Sequence, residues 1–189
     1  MDRGSRRIGG AEMGDGYPWY QAAASAELEQ GDILRACPVL VAVFDSTTPI
    51  VGASIAGRVD TFDVVVMTQS CDLANDKVQE VILCPHWDLT EAGQMDPALA
   101  KSNAHKAILK GQSYRYTLLA ASTIDELPMG IRIVDFGRIF TLPRSFVERF
   151  ADAQGKRLRL CPPYREHLSQ AFARFFMRVG LPQDIRLPG

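Results

Sequence analysis

The run Asp63-Val64-Val65-Val66-Met67 constrains this chain more than any other segment. β-Branched side chains pack well on a pleated surface and lose χ1 freedom in a helix. Its core is uninterrupted by any polar residue that alternation could place on a wet face, so the run predicts a strand buried on both sides. Such a strand needs a packed layer above and below it. The polar segment Thr68-Gln69-Ser70-Cys71-Asp72-Leu73 follows at once. It predicts a turn presented by a rigid strand end, where a reactive or binding group is held firmly while solvent and ligand reach it.

The rest of the chain supplies partners for that strand. Pro38 to Phe44 is too short and apolar for a convincing helix and predicts a strand, as do residues 78–84, 114–121 and 131–140, with a last edge strand at 157–161. Residues 45–60, with Pro49, Gly52 and Gly57, read as a long hairpin connection. Helices are expected over 17–30, with Pro18 in the first turn and Gly31 past the end, over 97–110 behind an Asp96 cap, and over 143–153. Leu168, Phe172, Phe175, Phe176 and Val179 recur at helical spacing and predict a C-terminal amphipathic helix. Residues 1–16 lack a hydrophobic period and read as a flexible leader. Residues 17–189 read as a single α+β domain, since 189 residues suit one sizeable core.

No segment has the apolar length of a membrane span or a signal-peptide core, which excludes a membrane role and points to the cytoplasm. Cys37, Cys71, Cys84 and Cys161 are irregularly spaced, unlike a disulfide framework, and are expected as reduced thiols. The net charge of −1 conceals an asymmetry. From Pro128 onward eleven Lys and Arg face five Asp and Glu, against ten and seventeen before it. Either the two parts match each other internally, or the C-terminal part offers a basic face to RNA or an acidic protein partner.

Gly31-Asp32-Ile33-Leu34, then Gly52 to Arg58, then Val64 to Thr68, then Val81-Ile82-Leu83-Cys84-Pro85 together resemble the MazF/PemK-type toxin family over about 55 residues. The resemblance implies a small SH3-like β-barrel with added helices and, in the family, a homodimer that cleaves single-stranded RNA. It makes Arg58 and His86 the candidate catalytic residues, since Pro85-His86-Trp87-Asp88 holds no Ser or Thr of the kind the family uses there. A second resemblance spans most of the chain. The GDI-type start, the (S/T)QxCD(L/I) motif and Pro163-Tyr164-Arg165-Glu166-His167-Leu168 look like those of uncharacterised bacterial proteins, which implies a shared fold and no activity. Together these imply a binding component of a bacterial defence or toxin–antitoxin module, with an endoribonuclease as the alternative.

Three constellations carry candidate chemistry. Cys71, beside Gln69, Ser70 and Asp72, would be the nucleophile of a hydrolase or transferase if a base such as His86 or His105 lowered its pKa; otherwise the turn contacts a ligand or is plain structure. Cys84 and His86 share a strand face by parity, yet no C-x2-C or H-x3-H spacing accompanies them, and the reading includes no metal and no cofactor. Arg174 and Arg178, one turn apart, with Arg165 and Lys156-Arg157-x-Arg159 leading in, form either a phosphate-binding stripe or a solvated helix face.

Overall fold

The computed structural model describes residues 17–44 and 56–177. Among them are eight strands and five helices, a mixed α+β arrangement with antiparallel sheets. The leader, most of the 45–60 connection and everything from residue 178 onward lie outside the described residues.

The expected buried strand is the end of β3 (Gly57–Val66), where Val64, Val65 and Val66 are fully buried. Alternation sends Val65 into one core and Val64 and Val66 into another. At roughly 1.5–3 kcal/mol for each fully buried aliphatic side chain, this short run anchors both layers. β3 pairs on one edge with β2 (Ile33–Ala42) and on the other with β4 (Glu80–Asp88). β4 is shared: its first half pairs with β7 (Phe140–Pro143), and its second half with β6 (Arg132–Asp135), which continues to β5 (Tyr116–Leu119). The described residues form no closed barrel.

The first core lies between Ile33, Val65, Cys84 and Val134 of the sheet and Leu168 of α5 (Tyr164–Phe176), with Phe172 and Phe175 packed against it. Phe172 meets the fully buried Phe136 edge-on at 5.4 Å. The expected amphipathic helix therefore does cover the sheet, with Leu168 and the Phe172 and Phe175 rings at its seam. The second core places Val147 and Ala151 of α4 (Arg144–Gln154) against Leu34, Val81 and Leu83. A third, smaller one seats α2 (Leu89–Met95) and α3 (Ser102–Leu109) on β5 and β6 through Ala92, Leu99, Ile108 and Ile133.

Four local expectations are corrected. The alanine-rich stretch before Gly31 is not a helix; Tyr20–Ala23 is strand β1, paired with β8 (Arg157–Leu160). An isolated helix of that length is marginal in water. Strand pairing instead satisfies its backbone and buries Tyr20, whose hydroxyl donates to the Ala120 carbonyl at 2.8 Å. The 97–110 helix is α3 alone. Asp96 ends α2 and its carboxylate takes the Ala98 amide, while Asp88 and Glu91 form a capping box that starts α2, a helix not expected from the sequence. The 131–140 strand is two strands, broken where the Asp135 carboxylate takes the Gly137 amide at 2.8 Å. The turn after β3 is a one-turn helix, α1 (Ser70–Ala74), held by its buried Leu73.

Gly31-Asp32 explains how the two sheets are joined. Gly31 has a φ of +85°, and a Cβ there would sit 2.8 Å from that of Leu160. Only glycine allows this approach. Asp32 behind it is fully buried and accepts from Arg157 Nε at 2.8 Å and from Arg159 Nη2 at 2.9 Å, with Arg159 Nε also bonded to it. Arg157 and Arg159 point their remaining donors at the Ser25 and Glu27 carbonyls and at Glu29.

Candidate functional site

The strand end that closes β3 borders a groove of about 360 Å³ between β4, α1 and α5. Gln30, Met67, Gln69, Asp72, Glu80 and Phe172 are among its walls. The local sequence fixes this shape. The Thr68 hydroxyl accepts the Ile82 amide at 2.7 Å, the Gln30 side-chain amide donates to the Met67 carbonyl at 2.8 Å, and Ser70 Oγ accepts the Gln30 amide at 3.1 Å. Thr68 and Ser70 are thus committed to backbone groups. Gln69 and Asp72 remain to face the groove, and no basic side chain among the described residues lines it. Asp72 is met only loosely by Lys77, at 3.9 Å.

Cys71 is exposed on α1, and the polar atoms nearest its sulfur are acceptors: Gln69 Oε1 at 3.5 Å and Asp72 Oδ1 at 3.8 Å. No histidine bonds to the sulfur, so the base a nucleophilic cysteine needs is not beside it. His86 lies elsewhere. Cys84 faces the first core and alternation places His86 on the same face, whereas α1 buries Leu73 in the second. His86 is 1% exposed, and neither ring nitrogen has a partner among the described residues. Burial lowers its pKa to about 3, with Asp63 opposing and Arg132 and Arg35 adding to the fall. An imidazole so enclosed and so weakly basic suits no acid–base role. His105 is also committed, its Nε2 bonded to the Leu99 carbonyl at 2.6 Å.

Arg58 sits near the far end of β3, exposed and paired with Asp60 at 2.9 Å. The strand between Arg58 and Val66 spans roughly 26 Å at about 3.3 Å per residue, so Arg58 and Cys71 stand at opposite ends of it. The structure therefore separates Arg58, Cys71 and His86 rather than gathering them. Among the described residues, no cluster of three or more His, Cys, Asp or Glu side chains has the proximity a metal needs. No helix among them is long and apolar enough to cross a membrane.

The basic stripe dissolves in the same way. Arg157 and Arg159 are buried against Asp32 and are neither a phosphate site nor a solvated face. Lys156 pairs with Glu126 at 2.8 Å, and Arg165 with Glu29 and Glu166. Arg174 is exposed beside a smaller groove with His167 and Tyr114, and Arg178 falls outside the described residues. Burial raises the thiols of Cys37 and Cys84 to about 11 and about 12, so both are inert; the Asp135 charge adds to the rise at Cys84.

Two polar features escaped the sequence reading. One is the group around His86, where Arg132 spans Asp63 at 3.7 Å and Glu91 at 3.6 Å while its Nε has no partner among the described residues. Asp63 also accepts the Ala36 amide at 2.9 Å, at a β2 bulge where Ala36 has a φ of +50°. The other is a cleft of about 300 Å³ between α2 and β6, walled by Trp87, Tyr116, Arg115, Asp135, Arg138 and Asp96. The only signal for it was that Trp87, Arg115, Tyr116, Asp135 and Arg138 lie in or beside β4, β5 and β6, and their meaning depends on pairings between distant segments. Compared with protein-family models, with curated proteins and with solved structures, the chain has no significant match.

Proposed function

We propose that this protein is a binding component that takes a segment of a protein partner in the groove at the end of β3. The chemistry of the groove carries this reading. Asp72 and Glu80 supply negative charge, Met67, Ile82 and Phe172 supply apolar floor, and Gln30 and Gln69 supply amide donors and acceptors. A segment with an aliphatic or aromatic anchor next to Lys or Arg complements all three. An RNA backbone would meet like charge there.

Dispersal of Arg58, Cys71 and His86 favours binding over the nuclease and cysteine-enzyme alternatives. The MazF/PemK-like barrel belongs to this proposal as well. Support comes from β4, a long strand shared between two partners, which is how small barrels turn a corner. A cytoplasmic role in a bacterial defence or toxin–antitoxin module rests on the family resemblance.

The test is selection of random peptides on the immobilised protein, followed by titration calorimetry. Enriched peptides should carry a basic residue beside an apolar anchor, and Asp72→Lys with Glu80→Lys should weaken them by about tenfold or more, on the order of 1.4 kcal/mol. Peptides indifferent to the charge reversal, or RNA cleavage abolished by Arg58→Ala, would overturn the reading.

A further inference from the structure

We propose that the cleft between α2 and β6 is a second binding site, for a nucleoside phosphate, with the base against Trp87 and Tyr116 and the phosphate at Arg138. The Arg138 guanidinium lies over two rings, 5.8 Å from the centroid of Trp87 and 5.9 Å from that of Phe62. It makes no ion pair or side-chain hydrogen bond among the described residues, although Arg is exposed here and carboxylates are close by. Stacking uses the faces of a guanidinium and leaves its N–H edge for an anion.

Neighbouring charge is arranged so that this edge stays unclaimed. Arg115 grips Asp135 with both arms, Nε to Oδ1 and Nη2 to Oδ2, each at 2.8 Å, and the Gly137 amide donates to Oδ1 as well. Three donors already hold the Asp135 carboxylate, and the Arg138 guanidinium is not among them. A Cβ at position 137 would sit 2.6 Å from Arg115 Nε, so the glycine is part of what lets the fork form. Arg115 in turn covers the Tyr116 ring at 5.1 Å.

Across the cleft stands Asp96, at the end of α2. A ligand that fits must have a flat ring for Trp87 and Tyr116, an anion for Arg138 and a polar hydrogen for Asp96. A nucleoside phosphate whose base carries an exocyclic amine has all of these. About 300 Å³ lies at the low end of the range for small-ligand sites, which suits one nucleotide rather than a longer stretch. This site is separate from the groove at the end of β3 and stands or falls independently of it.

The experiment is titration calorimetry of the full chain at low salt with three probes: AMP, a short oligoadenylate and inorganic phosphate. AMP should bind saturably and quench Trp87 fluorescence, and Arg138→Gln should weaken it by about tenfold or more. Oligoadenylate binding per site much tighter than AMP identifies a strand as the source of the nucleotide, and equal binding identifies the free nucleotide. Inorganic phosphate binding as well as AMP would overturn the proposal, since the rings would then contribute nothing. So would an Arg138→Gln protein that binds like wild type, or no binding of either nucleotide probe at millimolar concentration. Arg138 is exposed, so matching melting curves verify the fold; should that variant unfold, Met95→Glu, placed on an exposed rim residue of the same cleft, must weaken AMP instead.

Discussion

Two buried polar groups sit at the edges of the first core, one around Asp32 and one around His86, and they are built in opposite ways. Asp32 is fully enclosed and every oxygen has a donor: Arg157, Arg159 and the Glu29 amide at 3.1 Å. His86 is as deeply enclosed, yet among the described residues neither of its nitrogens has a partner, and Arg132 beside it leaves Nε unpaired. The first group ties β8 to the start of β2 and thus one sheet to the other. The second joins β6 to β3 and α2 through Arg132, at 3.7 Å from Asp63 and 3.6 Å from Glu91, while its imidazole bonds to none of the described residues. A buried charge that is saturated specifies a junction, whereas a buried polar ring without partners is a standing cost of its environment.

The largest expected effect comes from breaking the first group. Asp32→Ala strands two buried guanidinium groups and should cost about 3–5 kcal/mol in urea unfolding. The contrast sharpens if Asp32, Arg157 and Arg159 are replaced together by Met, Met and Leu, which should recover a large part of that loss because no unpaired charge remains. A loss for Asp32→Ala no larger than that of an ordinary surface substitution, within about 0.5 kcal/mol, would show the clamp to be ornamental.

Gly31→Ala attacks the same junction without touching charge. The left-handed backbone alone should cost about 1–3 kcal/mol, and the approach to Leu160 adds to it. A cycle with Leu160→Gly, which removes the Cβ that clashes, separates the two parts: Gly31→Ala should lower the melting temperature less in the Leu160→Gly background than in the wild type, because only the backbone strain is left. If Gly31→Ala lowers it equally in both backgrounds, contact with Leu160 is not what demands glycine.

How much of this was legible beforehand depends on the range of the interaction. Val64, Val65 and Val66 announced a strand buried on both faces because the signal lies within the run itself. The C-terminal helix was legible for the same reason, from the spacing of Leu168, Phe172 and Phe175. Arg157 and Arg159 were misread because their partner is some 125 residues away, and a strand with alternating arginines looks identical whether it faces water or a buried carboxylate. Tyr20 was misplaced in a helix because its pairing strand arrives equally late in the chain. At the candidate site the strand end itself was found, with Gln69 and Asp72 on the groove. The α2–β6 cleft was not, since Trp87, Arg115 and Arg138 come together only through the β4–β6–β5 pairing.

The smallest effect is read at the second group, through pH. His86 has its pKa lowered to about 3 in the folded protein from an ordinary 6.5, chiefly by burial. Between those values the unfolded chain binds a proton that the folded chain refuses, so stability must fall as pH drops from about 6.5 toward 3. The slope attributable to this residue approaches about 1.4 kcal/mol per pH unit. Asp and Glu side chains of an unfolded chain titrate near pH 4, so the window for the imidazole lies between about pH 6 and 5. His86→Leu deletes the proton-binding group while filling similar space, and its unfolding free energy should be nearly flat across that window where the wild type declines. The Asp32 group offers the control: Asp32→Ala should lower stability at both pH values and leave the decline in place. A His86→Leu protein that declines as steeply as wild type would mean that the imidazole is met by proton-accepting partners and that the two buried groups are not opposites after all.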